Sequence, residues 1–247
     1  MTALRPLITA LGLLLAWEAL VRLTRVPPFI LPAPESVFVA LGTYHALLLQ
    51  QAATTAAEIL LGVAIGGLVG ALSALLLASS GVARRWLLPL LVVSQALPVF
   101  ALAPLLVLWM GYGMASKVAM AVLVIFFPVT SAFFDGLKRA EPGWLELARV
   151  MNARPGATLW RIRVPAALPA MASGLRVAAA VAPIGAVIGE WVGSSAGLGY
   201  LMLHANARMQ VDLMFAALLI LAAMALALYA AVDGLTRRLV RWQPERL

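Results

Sequence analysis

The chain is 247 residues long, 64% hydrophobic and 11% charged, with a mean hydropathy of +1.00. That leaves too little polar surface to cover a soluble globule, so the chain reads as an all-α integral membrane protein. A net charge of +8 and a pI near 11.0 would suit nucleic acid only as a basic face on a soluble domain, which this composition excludes; the lack of cysteine excludes disulfides, thiolate metal sites and cysteine catalysis.

Six segments are long enough to cross a hydrocarbon core as helix, a crossing that takes about 20 residues. They are 7–23, 54–79, 86–109, 117–134, 166–192 and 213–235. The first lies in "MTALRPLITALGLLLAWEALVRL", where a basic residue precedes an apolar run, as in a signal peptide. No Ala-x-Ala-like cleavage site follows, and Trp17 and Glu18 interrupt the run, so it is expected to stay as a span, with Glu18 solvated or paired to Arg22 at i+4. In the second span Gly62, Gly66 and Gly70 recur every fourth residue, continued by Ala74 and Ala78. Such a stripe admits a close helix backbone, within one subunit or between two. Glu58 stands near the outer end of the same span, where it serves either structure or transport.

The third span contains Pro89, Pro98 and Pro104, each of which removes a backbone donor and favours a kink. Helices broken near mid-membrane border cavities or moving elements, so Ser94 and Gln95, beside Pro98, become candidates for hydrogen-bonding a solute. Phe100, Trp109, Phe126, Phe127 and Trp191 offer planes for stacking, or serve as packing and interface-belt residues. Glu190, near the outer end of the fifth span, is a further pathway candidate, with a structural role as the other reading. His45 and His204 fall in outer loops without a neighbouring ligand set, so no metal site is expected.

Between the fourth and fifth spans lies a polar segment, 138–165. Holding its six basic side chains, Lys138 to Arg163, in the bilayer would cost on the order of 15 kcal/mol at roughly 2.5 kcal/mol each, so it belongs in water. With the N-terminus inside, this segment, Arg5, the Arg84–Arg85 pair and the C-terminal Arg237, Arg238, Arg241 and Arg246 share one side. Only Arg22, Arg25, Lys117 and Arg208 fall on the other, and Arg176 sits just inside the fifth span. The positive-inside rule therefore puts both termini and 138–165 in the cytoplasm. Within it, "PGWLELARVMNA" places Pro142 at a helix start, with Leu145, Ala148 and Met151 or Asn152 on one face. An end is expected between Asn152 and Gly156, since Asn tolerates the left-handed conformation and Pro155 resists continuation. From chemistry alone this is a surface connector or a docking element.

Here the residues carry a resemblance. Glu146, Ala148, Ala153, Ile162 and Pro165 stand at the spacing of the EAA loop of ABC importer permeases, with Leu159 at an aromatic position and Val164 at a leucine position. Leu147 replaces the central Ala and Asn152 the Gly of that pattern. In order along 31–242, "LPAPESV", "ALAPLLVLWMGYGMASK", "FFPVTSAFFDGL", "GLRVA" and "GEWVGSSAGLGYLM" are similar to the nitrate/sulfonate/taurine-type permeases. The wording from Pro98 to Trp144 also resembles the branch that imports the hydroxymethylpyrimidine precursor of thiamine.

The resemblance implies a single permease domain over 1–247 with a type I ABC importer fold, in a bacterial inner membrane. Its core spans would cover about 54–235, and 138–165 would hold a coupling helix. Glu146, Ala148, Asn152, Ala153, Gly156, Ile162 and Pro165 would then meet a cytoplasmic ATPase. "GYGMASK" lacks the glycine before Lys117 and the spacing of a phosphate-binding loop, so ATP and Mg would bind separate subunits. The implied partners are two ATPase chains, a second copy of this permease, an external solute-binding protein and lipid, and not nucleic acid. A neutral, planar, nitrogen-containing solute suits spans poor in Lys and Arg better than taurine, sulfonate or nitrate. A secondary transporter would want carboxylates near mid-membrane, and an enzyme a cluster of catalytic groups at one depth.

Overall fold

The computed structural model describes residues 4–240 and 242, with the side chains of 4–7 outside that description. Arg241 and Arg246, assigned to the inner side above, lie outside the described residues, as does the side chain of Arg5. Every regular element among the described residues is helical: α1 Leu4–Thr24, α2 Pro34–Thr43, α3 His45–Ser79, α4 Gly81–Ala96, α5 Val99–Met110, α6 Met114–Lys138, α7 Pro142–Val150, α8 Pro155–Thr158, a π-helical turn Leu159–Arg163, α9 Val164–Gly193, α10 Leu198–Ala207 and α11 Val211–Leu239.

Among the described residues, four helical runs are long and apolar enough to cross a membrane, five if the bent pair α4–α5 counts as one span. Six were expected; α1, 21 residues long, is the helix at the remaining position. The third expected span is not one kinked helix. It breaks by 103° between Ala96 and Val99, because Leu97 and Pro98 both adopt extended ψ, 127° and 116°. A residue before proline is pushed out of the helical region, and proline cannot donate across the gap. Pro89 and Pro104 stand inside α4 and α5 without ending them. The histidines are also not in loops: His45 opens α3, and His204 lies in α10 with its ring 3.9 Å from that of Tyr200.

The chain packs as two compact units, the described residues up to Thr55 with Ser195–Ala223, and Ala56–Ser194 with the described residues from Met224 onward. In the first unit, Trp17 of α1 stacks 5.7 Å from Phe215 and donates its indole N–H to the Pro32 carbonyl at 3.1 Å. Gln51 and Thr55 of α3 accept from the backbone N–H groups of Gly197 and Leu198, at 2.6 and 2.8 Å. They thereby satisfy donors that the start of α10 would otherwise leave orphaned.

The second unit is built on three helices whose backbones come close. Gly62, Gly66 and Gly70 of α3 lie against Ala121, Ile125 and Val129 of α6. The Thr130 hydroxyl donates to the Gly70 carbonyl at 3.2 Å across that seam. A second seam joins α6 to α9 along nearly their full length, with Gly136 on Ala167, Gly174 on Ala132, Gly185 on Ala121 and Gly189 on Lys117. Ile59, Ala121, Ile125, Val129, Ala178, Ala182 and Ala186 fill the space between as a buried core. Lipid supplies no hydrophobic drive for helix association, so small residues that maximise dispersion contact are what hold these helices together.

Candidate functional site

Residues 138–165 form a braced, two-part element between α6 and α9. Pro142 occupies the first turn of α7, as expected of a residue with φ preset and no donor to lose. The helix ends at Met151, and Asn152 takes φ +52°. Asn152 N–H bonds Arg149 O at 3.0 Å and Ala153 N–H bonds Ala148 O at 2.9 Å, the paired geometry of a Schellman cap. The position wants glycine or asparagine, so Asn152→Gly is expected to be tolerated. Asn152→Val is expected to lower the thermal stability of the detergent-solubilised chain by about 1–2 kcal/mol, since a β-branched residue strains there.

The brace is ionic and backbone-directed. Arg163, at the end of the π turn, donates Nε–H to the Leu137 carbonyl at 2.9 Å. It answers an orphan acceptor at the C-terminus of α6 and places a cation at the negative end of that helix. Lys138 pairs with Asp135 at 2.8 Å and lies 4.4 Å above the Phe134 ring. Pro165 opens α9 directly after the π turn.

On this brace α7 buries Ala148 and leaves its neighbours on the same side of the helix exposed. Trp144, Leu147 and Met151 remain 55%, 59% and 73% accessible, at helical spacings of three and four. With Ala157, Arg161 and Ile162 across from them they line a groove of about 400 Å³. Glu146 is exposed beside it, with no ion-pair partner among the described residues. Ala153 and Gly156 are exposed, and nothing stands within 4 Å of a Cβ at Gly156, so no steric reason demands glycine there.

The pathway candidates separate into three places. Ser94, Gln95 and Phe100 flank the break between α4 and α5; Gln95 and Phe100 are exposed, and Ser94 donates to the Leu91 carbonyl at 2.7 Å. Trp109 is exposed near the end of α5, and Trp191 is exposed near the end of α9. Glu190 faces the interior and is 1% accessible.

Sequence reasoning placed Glu58 and Glu190 near solvent and overlooked their partner. Glu58 is fully buried, and Lys117, 6% accessible, donates Nζ–H to its Oε1 at 2.7 Å. Glu190 lies close enough to act electrostatically on Glu58. Three ionisable residues of mixed sign at the same end of three expected spans were the available signal. Arg176, within the fifth expected span, has its Nε 2.7 Å from Asp233 Oδ1.

The described residues thus form a helical membrane protein with a braced, exposed amphipathic element between two tightly seamed spans. Its fold matches that of the MetNI methionine ABC transporter in inward-facing conformations, with a TM-score of 0.69 over 79% of this chain and 97% of that one, at 17% identity. Residues 62–243 match the family described as binding-protein-dependent transport system inner membrane component, and the chain belongs to that family of ABC importer permeases. It is 56% identical to a probable ABC transporter permease protein of Haemophilus influenzae, over 96% of this chain and 97% of that one. It is 36% identical to the formylaminopyrimidine transport permease ThiX of Halalkalibacterium halodurans, over 99% and 98%. Relatives named for riboflavin, taurine and aliphatic sulfonate transport match as well.

Proposed function

We propose that this permease imports a pyrimidine precursor of thiamine, driven by two ATPase chains that dock on α7. An external binding protein delivers the solute to a pair of permease copies. Both termini and the segment 138–165 face the cytoplasm, where ATP and Mg bind the partner ATPases. Closure of those ATPases pushes on Glu146, on the groove face and on the Ala148–Ala153 cap, and the α4–α5 break with Ser94, Gln95 and Phe100 lines the route. The observation that carries the coupling is the exposed Trp144–Leu147–Met151 face on an element fastened to α6 through Arg163.

The solute class is supported by charge. Lys117 and Arg176, the basic residues within the expected core spans, each sit on a carboxylate, Glu58 and Asp233. An anionic solute would therefore have to compete with protein carboxylates for them, whereas a neutral heterocycle would not. The test is ATP-driven uptake in proteoliposomes holding the permease with its co-purified ATPase and binding protein. Labelled hydroxymethylpyrimidine is expected to accumulate, and taurine and nitrate are not. Taurine or nitrate uptake without pyrimidine uptake would replace this solute with the anion reading.

A further inference from the structure

The buried Glu58–Lys117–Glu190 cluster joins a position inside α3 to the ends of α6 and α9 that lie away from the segment carrying α7. Lys117 is in the first turn of α6 while Lys138 closes it, and Glu190 is in the last turn of α9 while Val164 opens it. From Lys117 to Lys138 α6 carries these two features about 30 Å apart, at 1.5 Å per residue. The glycine seams run between them without interruption. At the far end Gly189 would place a Cβ only 3.1 Å from the Lys117 Cα, so α9 and α6 touch backbone to backbone there. Lys117 then reaches across to Glu58 on α3.

A buried ion pair is a poor way to gain stability, because desolvation offsets most of the attraction. Its better-attested use is to fix one arrangement among several that packing alone would allow. Because Gly62, Gly66 and Gly70 repeat every fourth residue and Ala74 and Ala78 continue the spacing, registers of α3 shifted by one turn also present small residues to α6, and packing permits that shift. A lysine and two glutamates at one end do not, since a one-turn slip would leave buried charges apart. Glu58 Oε2 lacks a hydrogen-bond partner, and Oε1 takes the Lys117 ammonium.

We propose that the Glu58–Lys117–Glu190 cluster is the positioning clasp that locks α3, α6 and α9 into one rigid body, so that displacement at α7 reaches the opposite membrane face undiminished. This rests on the reading that α7 receives the ATPase stroke. Without the clasp the helices slip along their seams and the stroke is dissipated within the bundle.

Because the chain has no native cysteine, spin labels can be placed at Leu61→Cys on α3 and Ile184→Cys on α9, and their separation within one permease copy measured in the reconstituted complex, with the labelled chain diluted into an excess of unlabelled chain. In the otherwise native chain the distance is expected to form one narrow peak that moves by less than about 2 Å between nucleotide-free and ATP-vanadate states. Lys117→Met is expected to broaden that peak and Lys117→Arg to restore it. Should Lys117→Met fail to fold, the apolar triple variant Glu58→Met, Lys117→Met, Glu190→Met removes every buried charge of the cluster. It is expected to fold and to bring down the ATPase, yet to show a broadened, nucleotide-dependent distance and lost uptake. A narrow, unchanged distance with normal uptake in the triple variant would overturn the clasp, as would a shift of several ångströms in the native background. If no ATPase associates, the coupling reading fails, and the nucleotide-free distances still decide the clasp: equally narrow peaks in native and triple variant overturn it.

Discussion

Glu146→Lys is expected to abolish ATP-driven uptake while leaving the permease folded in the membrane. Glu146 is exposed on α7, and no described residue of this chain holds it in an ion pair, so the fold does not depend on it. A carboxylate buried at an interface against a basic partner is another matter. Truncating one member of such a pair costs about 2–5 kcal/mol, and reversing its sign adds repulsion, so uptake is expected to fall by roughly a hundredfold or more. Uptake measured in proteoliposomes, beside size-exclusion elution of the solubilised chain, separates this from misfolding. Normal elution with normal uptake would remove Glu146 from the coupling surface.

The second large effect is steric. Gly66→Leu is expected to destabilise the chain by about 3 kcal/mol, because a side chain there enters a seam with no space to give. A Cβ at Gly66 would stand 2.8 and 2.9 Å from two carbons of Ile125. Ile125 is fully buried and packed against α9 residues of the core, so it has nowhere to turn. Gly67, one residue on, offers the control: its nearest neighbour is the flexible end of Leu175 at 3.4 Å. Gly67→Ala is therefore expected to shift the detergent melting temperature little, while Gly66→Leu lowers it sharply or prevents purification. Equal behaviour of the two would mean that α3 does not pack on α6 through this stripe.

These two regions differ in how far they were legible beforehand. The cap at Asn152 could be read because its cause is local: asparagine tolerates positive φ, and Pro155 follows closely. The stripe could be read as a spacing, but its partner could not. That partner lies about 60 residues on, and nothing in Gly62, Gly66 and Gly70 distinguishes a neighbour in the same chain from one in another. Three prolines marked the third span as a place for a bend. Only Pro98 ends a helix, because Leu97 before it is also extended, while α4 and α5 absorb Pro89 and Pro104.

Depth was the hardest quantity to read. Glu58 and Glu190 fall where an apolar run fades into polar residues, a pattern that suggests water. In the fold, α3 continues upstream to His45, and Gln51 and Thr55 are used to cap α10 rather than to face solvent. The end of the apolar run was thus not the end of the buried helix. Glu58 finds its cation 59 residues away, a pairing that depends on the α3–α6 seam and has no local signature.

The proposed role of α7 is to hold a separate ATPase through which this permease works. It is tested most directly by solubilising the chain from its native membranes in mild detergent, purifying it, and assaying ATP hydrolysis on what accompanies it. An ATPase chain is expected in the wild-type preparation, with its loss or uncoupling in Glu146→Lys. A well-folded wild-type chain with no nucleotide-binding partner, whose transport persists on an ion gradient after ATP depletion, would contradict it.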